Sequence, residues 1–300
     1  MDRAPRLLLA FLLGVGAVMV QPATRVLAFP AEGPAGQLAS NSALKSAAKA
    51  PDIRFEGYDS QVEEQLLALA NQSRRQHGAP PLTMDAGLSQ AARMHAQAMF
   101  EARRLSHQLD GELSLPQRLA ATTQLQLEQE GENVALDSDA EHGHQHLMLS
   151  PPHRANLLNP AYNVVGLGVI RNGDRLYIVQ DFGSALPKYS LAEVKEHVAA
   201  AVKQTRRKSI RPELKRRDWL GADQAACSMA QADKLGTPTV GKLAESFNLL
   251  TYTSLHPEIL PSGAARVVAG RNLRNFSVGA CYGRSHTYPT GVYWVVLSLD

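Results

Sequence analysis

Two apolar runs, Val164–Ile170 and Leu176–Phe182, meet through Asn172-Gly173, and this pair constrains the fold more than any other feature of the chain. Asn-Gly supplies the positive φ angles of a tight hairpin turn, so the runs are expected to pair as antiparallel strands. Helical signals precede them. Ser60-Gln61-Val62-Glu63 reads as a capping box, followed by Val62, Leu66, Leu69 and Ala70 at helical spacing, with Gly78 as the stop. Leu88, Ala92, His95 and Met99 mark one face of a second helix that runs out near Leu105-Ser106-His107. A third covers Leu115 to about Thr123, with Pro116 in its first turn. Gly131-Glu132-Asn133-Val134-Ala135 reads as a short turn into a hydrophobic pair. Asp139 then caps a helix that stops at Ser150-Pro151-Pro152, where Ser150 caps a shorter one ending at Leu158. Helices first and a hairpin last predict an α+β fold, with helices packed on an antiparallel sheet.

The chain has 300 residues, room for two domains at roughly 150 each. Arg3 and Arg6 precede the apolar stretch Leu7–Val20, and Val26-Leu27-Ala28 follows, the pattern of a secretory signal over residues 1–28. The stretch is shorter than the roughly 20 residues a helical anchor needs. Residues 29–57, rich in Ala, Gly, Pro and Ser without a period, read as a linker. No second long apolar segment follows, so no transmembrane segment is expected once the signal is removed. The expected location is outside the cytoplasm, secreted or periplasmic. A formal charge of only +3 argues against nucleic acid as a partner, because such affinity needs a broad basic face. Two cysteines, Cys227 and Cys281, exclude a disulfide-dense scaffold and a Cys-rich zinc module. In an oxidising compartment they can form a bridge.

Several short motifs run in a fixed order: Asn71 with Arg74, Pro81-Leu82, Leu88 with Ala91-Ala92, Ser106-His107, and Arg118. Gly131-Glu132-Asn133-Val134-Ala135 follows, then Ser150-Pro151-Pro152-His153-Arg154-Ala155-Asn156-Leu157-Leu158, Val165-Gly166-Leu167-Gly168-Val169 and Gln180-Asp181-Phe182. Over about residues 60–185 this series resembles the bacterial, SCP-like branch of the CAP superfamily (cysteine-rich secretory, antigen 5 and pathogenesis-related proteins). The resemblance implies an α-β-α sandwich with a central cleft, here over residues 58–187. It also implies a divalent ion held by cleft histidines and glutamates. His107 and Glu132 match two members of that set. Where eukaryotic relatives carry a tryptophan and a second glutamate, this chain has Leu147 and Ser150, and their later histidine has no counterpart. His153 belongs to the bacterial Ser-Pro-x-His-Arg pattern. The expected cleft residues are therefore His107, Glu132, His153 and Ser150. Zinc is the expected ion, on His107, Glu132 and His153, since imidazole and carboxylate suit it. A metal-free histidine–carboxylate pair is the alternative.

Other polar residues take quieter readings. His95, on an apolar helix face, is expected to pack rather than ligate, and Arg154 and Asn156 to tie loop backbone together. His142 and His146 fall on one helix face at i, i+4, a spacing that can chelate, but a short His-rich tract reads first as adventitious binding. There is no Gly-x-Ser-x-Gly elbow, no His-Glu-x-x-His and no cysteine in the first domain.

From Ser190 the pattern restarts. Leu191, Val194, Val198 and Val202 form a helical face. Arg206-Arg207, Leu214 and Leu220 then repeat the spacings of Arg74-Arg75, Leu82 and Leu88. Phe276–Cys281 parallels Asn163–Gly168, and Tyr293–Leu299 parallels Tyr177–Phe182. Residues 188–300 are expected to form a second, smaller α+β domain, a degenerate CAP-like copy without a Gly-Glu-Asn turn. There Cys227 on a helix and Cys281 in a strand would bridge helix to sheet. The basic run from Lys203 to Arg217 reads as a solvated helix end and loop.

Two functions are compatible with these residues. One is a secreted binding module whose cleft meets a lipid, a protein or an envelope polymer. The alternative is a metal-dependent, peptidase-like hydrolase using His107, Glu132 and His153 around a water. The missing ligands and the lack of a clear general base favour the first, and leave catalysis open.

Overall fold

A computed structural model describes residues 57–300. The expected signal peptide (1–28) and all but the last residue of the expected linker (29–57) lie outside the described residues. The described chain divides into two compact units. One holds the residues up to Ala192 together with Tyr282–Tyr293, and the other holds Glu193–Cys281 and Trp294–Asp300.

In the first unit the elements are α1 (Ser60–Gln76), β1 (Thr83–Met84), α2 (Ala86–Ala102), α3 (Leu115–Thr122), β2 (Gln126–Asp137), α4 (Ala140–Leu149), α5 (Pro151–Leu158), β3 (Val164–Asn172) and β4 (Arg175–Leu186). The strands form one sheet in the order β1-β3-β4-β2. The hairpin is as expected, with Gly173 at φ +61° in the turn. The sheet is mixed rather than purely antiparallel, because β1 runs parallel to β3.

Strand alternation sorts the core into two layers. Val165, Leu167, Val169 and Ile178 point to one face and pack with Leu66 and Ala70 of α1, Leu147 of α4 and Leu157 of α5. Val134, Ile170, Tyr177 and Val179 point to the other and meet Ala92, Ala96 and Met99 of α2. The result is an α-β-α sandwich. On the α2 face, Gly166 and Gly168 let helix and strand backbones touch. A Cβ on Gly166 would lie 2.0 Å from the Leu88 carbonyl carbon.

Three local expectations are corrected. The cap of α1 is Asp59, whose side chain accepts from Val62 N at 3.1 Å, and Ser60 is the first helical residue. Glu63 does not close a capping box. It is buried, receives Arg93, and accepts from Val169 N at 3.2 Å. The Gly131–Ala135 segment is not a turn but the middle of β2, paired residue by residue with β4.

The second unit begins with α6 (Leu191–Lys208), β5 (Lys215–Arg216), α7 (Leu220–Ala232) and α8 (Pro238–Ala244). It continues with β6 (Asn248–Ser254), α9 (Ser262–Val268), β7 (Asn275–Gly283) and β8 (Val292–Leu299). Its sheet runs β5-β7-β8-β6, with β5 parallel to β7. Between β6 and β7 there is one helix, where two stand between β2 and β3. Cys227 of α7 and Cys281 of β7 form a disulfide, Cα to Cα 5.0 Å. The basic run is only partly solvated. Arg206 is buried, while Arg207 pairs with Glu213 and Arg216 with Glu196 and Asp218.

Candidate functional site

His107 lies just beyond α2, which ends at Ala102 with Arg103 in the left-handed region (φ 49°) as its cap. Its side chain is 57% exposed. Glu132 comes from the middle of β2 and is buried. The two meet, His107 Nδ1 to Glu132 Oε1 at 2.9 Å. The second oxygen of Glu132 accepts from Arg118 Nη2 of α3. Arg118 also donates from Nη1 to the His107 carbonyl at 3.2 Å and lies 3.3 Å from Glu112 Oε2. One guanidinium thus fixes both the acid and the backbone that carries the imidazole.

The Gly-Glu-Asn triplet is built for this placement. Tyr162 Oη fills the space where a Cβ on Gly131 would sit, and donates to the Glu130 carbonyl at 3.1 Å. Asn156 of α5 donates to the Glu132 carbonyl and to Asn133 Oδ1, both at 3.0 Å. Asn133 in turn donates to the His153 carbonyl at 3.1 Å. The triplet and the first turn of α5 are therefore one hydrogen-bonded piece. It brings the His153 ring to 6.2 Å from that of His107, centroid to centroid. Burial, then the neighbouring His107, lower the proton affinity of His153.

Beneath this surface lies a polar layer that the motifs alone do not reveal. His95 is fully buried, with Nδ1 2.7 Å from Glu112 Oε1 and Nε2 2.9 Å from the Ser106 carbonyl. It is the satisfied packing histidine expected, yet it also stands 3.7 Å from Glu132 Oε2. Asp181 is the register partner of Glu132 across β2 and β4, so the two carboxyl groups share the α2 face of the sheet. Asp181 is fully buried, and neither of its oxygens has a hydrogen-bond partner among the described residues. Burial, then the Glu132 charge, push its carboxyl well above the usual carboxylate range, against a partial pull from Arg118. The motif Gln180-Asp181-Phe182 contained this residue, but its meeting with Glu132 needs the strand register.

Ser150 is the junction residue between α4 and α5. Its N donates to the His146 carbonyl and its carbonyl accepts from Arg154 N, and its side chain makes no capping bond. Asn156 ties backbone as expected. Arg154 does not, donating instead to His77 Nε2 at 3.0 Å. The tying falls largely to Arg74, buried, which donates to the carbonyls of Pro80, Leu157, Asn159 and Tyr162.

Residues 67–182 match the model of the CAP family, described as the cysteine-rich secretory protein family. This segment is a CAP domain. Among curated relatives, "Uncharacterized protein YkwD" of Bacillus subtilis (strain 168) is 30% identical over 115 residues, 38% of this chain and 44% of that protein. "Uncharacterized membrane protein YlbC" of the same organism is 32% identical over 132 residues, 44% of this chain and 37% of that protein. The chain thus spans less than half the length of the curated relatives it matches. Among solved structures, an extracellular protein containing a SCP domain from Bacillus anthracis is 27% identical, with a TM-score of 0.40, over 46% of this chain and 45% of that one. No helix among the described residues is long and apolar enough to cross a membrane.

As arranged, the CAP domain's three-residue set does not fit a resident ion. Both oxygens of Glu132 are engaged, one by the cationic Arg118, so a metal would find only the imidazoles of His107 and His153 free. Among the described residues no group of three or more His, Cys, Asp or Glu is placed to hold a metal ion. His107, held through Nδ1, presents its other ring nitrogen outward, and His153 stands beside it.

Proposed function

We propose that the CAP domain is a secreted binding module whose His107/Glu132/His153 surface meets a lipid, a protein or an envelope component. The observation that carries this reading is the full engagement of Glu132. A carboxylate locked between His107 and Arg118 is neither a free metal ligand nor a free general base, but it fixes the imidazole as a rigid hydrogen-bonding group. Rigid polar groups set orientation and specificity in recognition sites. Secretion rests on the signal pattern of residues 1–28, and the Cys227–Cys281 bridge suits an oxidising compartment.

The proposal treats residues 188–300 as a degenerate CAP-like copy that serves packing or binding. Supporting it are the shared strand order, the parallel first strand, and left-handed caps at Arg103 and Asp233 after the second helix of each half. A charge-reversed ion pair points the same way. Glu63 of α1 binds Arg93 of α2, and Lys195 of α6 binds Asp223 of α7.

The test pairs hydrolysis with binding. The purified protein is assayed on a peptide and glycan panel with and without zinc, and for sedimentation with anionic vesicles, zwitterionic vesicles and insoluble peptidoglycan. Wild type is compared with His107→Ala/Glu132→Ala. Sedimentation lost in the double variant, with no turnover in either protein, supports the module. Turnover by wild type that disappears in the variant overturns it in favour of the hydrolase.

A further inference from the structure

We propose that His142 and His146, on the outer face of α4, form an exchangeable site for a divalent transition-metal ion. The two residues are one helical turn apart, and their rings stand 6.5 Å apart, centroid to centroid, at 43°. Both side chains are exposed, at 60% and 61%. Spacing alone would leave the pair an incidental feature of a His-rich tract. The orientation of each ring goes further.

Each imidazole has its Nδ1 against a different carboxylate. His142 Nδ1 lies 2.7 Å from Asp139 Oδ2, and His146 Nδ1 lies 2.6 Å from Asp137 Oδ2. An ionised carboxylate only accepts, so the ring proton sits on Nδ1 in both, and in the neutral ring the Nε2 lone pair faces out. This carboxylate–histidine arrangement is the one that orients metal-ligating imidazoles and raises their basicity. Among the described residues neither aspartate forms an ion pair with an arginine or lysine. Asp139 is also the cap of α4, its Oδ1 accepting from His142 N at 2.8 Å, so the ring and the helix start are fixed by one residue. His144, between the two, turns to the opposite face and bonds Ser73 Oγ at 2.8 Å, and therefore takes no part.

A tetrahedral ion about 2 Å from each Nε2 would hold the ring centres roughly 5 Å apart. Exposed side chains close the remaining distance by rotation. Two protein nitrogens leave the other positions to water, which makes the site exchangeable rather than structural. Imidazole suits copper(II), nickel(II) and zinc, and copper(II) should bind tightest by the general order of divalent affinities. The local carboxylates Asp137, Asp139 and Glu141 give the face a negative field that favours a cation. The His107–His153 pair has Arg118 behind it instead.

The test uses the full chain and simple chlorides of copper(II), nickel(II) and zinc in a non-chelating buffer. Calorimetric titration should show one copper ion bound, and the copper spectrum by paramagnetic resonance should show coupling to two imidazole nitrogens. His142→Ala and His146→Ala should each weaken copper binding at least about tenfold and remove one nitrogen coupling. Asp137→Asn combined with Asp139→Ser, which keeps a capping oxygen, should weaken it about tenfold through lost ring orientation. His107→Ala/His153→Ala should leave it unchanged. Circular dichroism verifies that each variant folds. Unaltered affinity in His142→Ala/His146→Ala, or loss of binding confined to the His107/His153 variant, overturns the proposal.

Discussion

Arg74 and Arg206 make three matching backbone contacts in two different halves of the chain. Each is buried, and each Nε donates to the carbonyl of a proline six residues on, Pro80 at 2.6 Å and Pro212 at 2.8 Å. Each Nη1 then spans two carbonyls at the end of a later helix, Leu157 and Asn159 for Arg74, Val268 and Gly270 for Arg206. A guanidinium does this because its five donors lie in a rigid fork. An ammonium is a single point of charge.

Replacing Arg74 by Ala should therefore destabilise the CAP domain severely. The change strands the carbonyls of Leu157 and Tyr162 in the interior and frees those of Pro80 and Asn159 nearer the surface. At roughly 1–3 kcal/mol for each unsatisfied buried group, the expected loss exceeds about 3 kcal/mol. Arg74→Lys should recover less than half of it. Urea denaturation of the three proteins checks both statements.

Glycine positions separate close approach from mere flexibility. A Cβ at Gly166 meets Leu88 C at 2.0 Å and Ser89 N at 2.3 Å, and these are backbone atoms of α2 that cannot rotate away. Gly166→Ala should cost about 3 kcal/mol or more, the upper range for overpacking. At Gly241 in α8 the place a methyl would take has nothing within 4 Å, and its φ is not positive. Gly241→Ala should leave thermal stability unchanged or raise it by up to about 1 kcal/mol. Paired thermal melts distinguish the two outcomes.

The disulfide should matter in proportion to the chain it closes. Cys227 and Cys281 are separated by 54 residues in sequence. Loop-closure entropy gives a stabilisation of roughly 4 kcal/mol for a loop of this size. Cys227→Ser/Cys281→Ser should lose a large part of that in denaturant titrations, and a reducing agent should bring wild type to the same midpoint.

Much of the fold was legible because its signals are local. Asn172-Gly173 specifies a hairpin, Asp139 specifies a helix start, and the apolar spacing of Leu88, Ala92 and Met99 specifies which face of α2 is buried. The meeting of His107 with Glu132 was legible through resemblance. What sequence reading misplaced depends on partners distant along the chain. Glu63 looked like a capping acid because three residues separate it from Ser60, but its partners are Arg93 and Val169 N. Gly131–Ala135 looked like a turn because of its glycine, whereas that glycine makes room for Tyr162. Once that segment was read as a turn, no register existed to set Asp181 against Glu132, and the polar layer of Arg118, Glu112 and Asp181 stayed hidden.

That layer gives a pH dependence with a definite sign. The Asp181 carboxyl is held well above the usual carboxylate range, first by burial and then by Glu132. In the unfolded chain it ionises near pH 3.9. Below that pH both states carry the proton and the group contributes no slope. Above it, unfolding releases a proton that the folded state keeps, so stability falls as pH rises until the folded carboxyl itself ionises. The slope over that window approaches about 1.4 kcal/mol per pH unit. Asp181→Asn removes this titration while keeping the side-chain shape. The stability of Asp181→Asn relative to wild type should therefore grow from pH 4 upward, which cancels the contribution of the other carboxylates. Urea midpoints for both proteins at pH 4, 5, 6, 7 and 8 read this difference. A difference that stays flat across the series means that Asp181 is ionised in the folded protein.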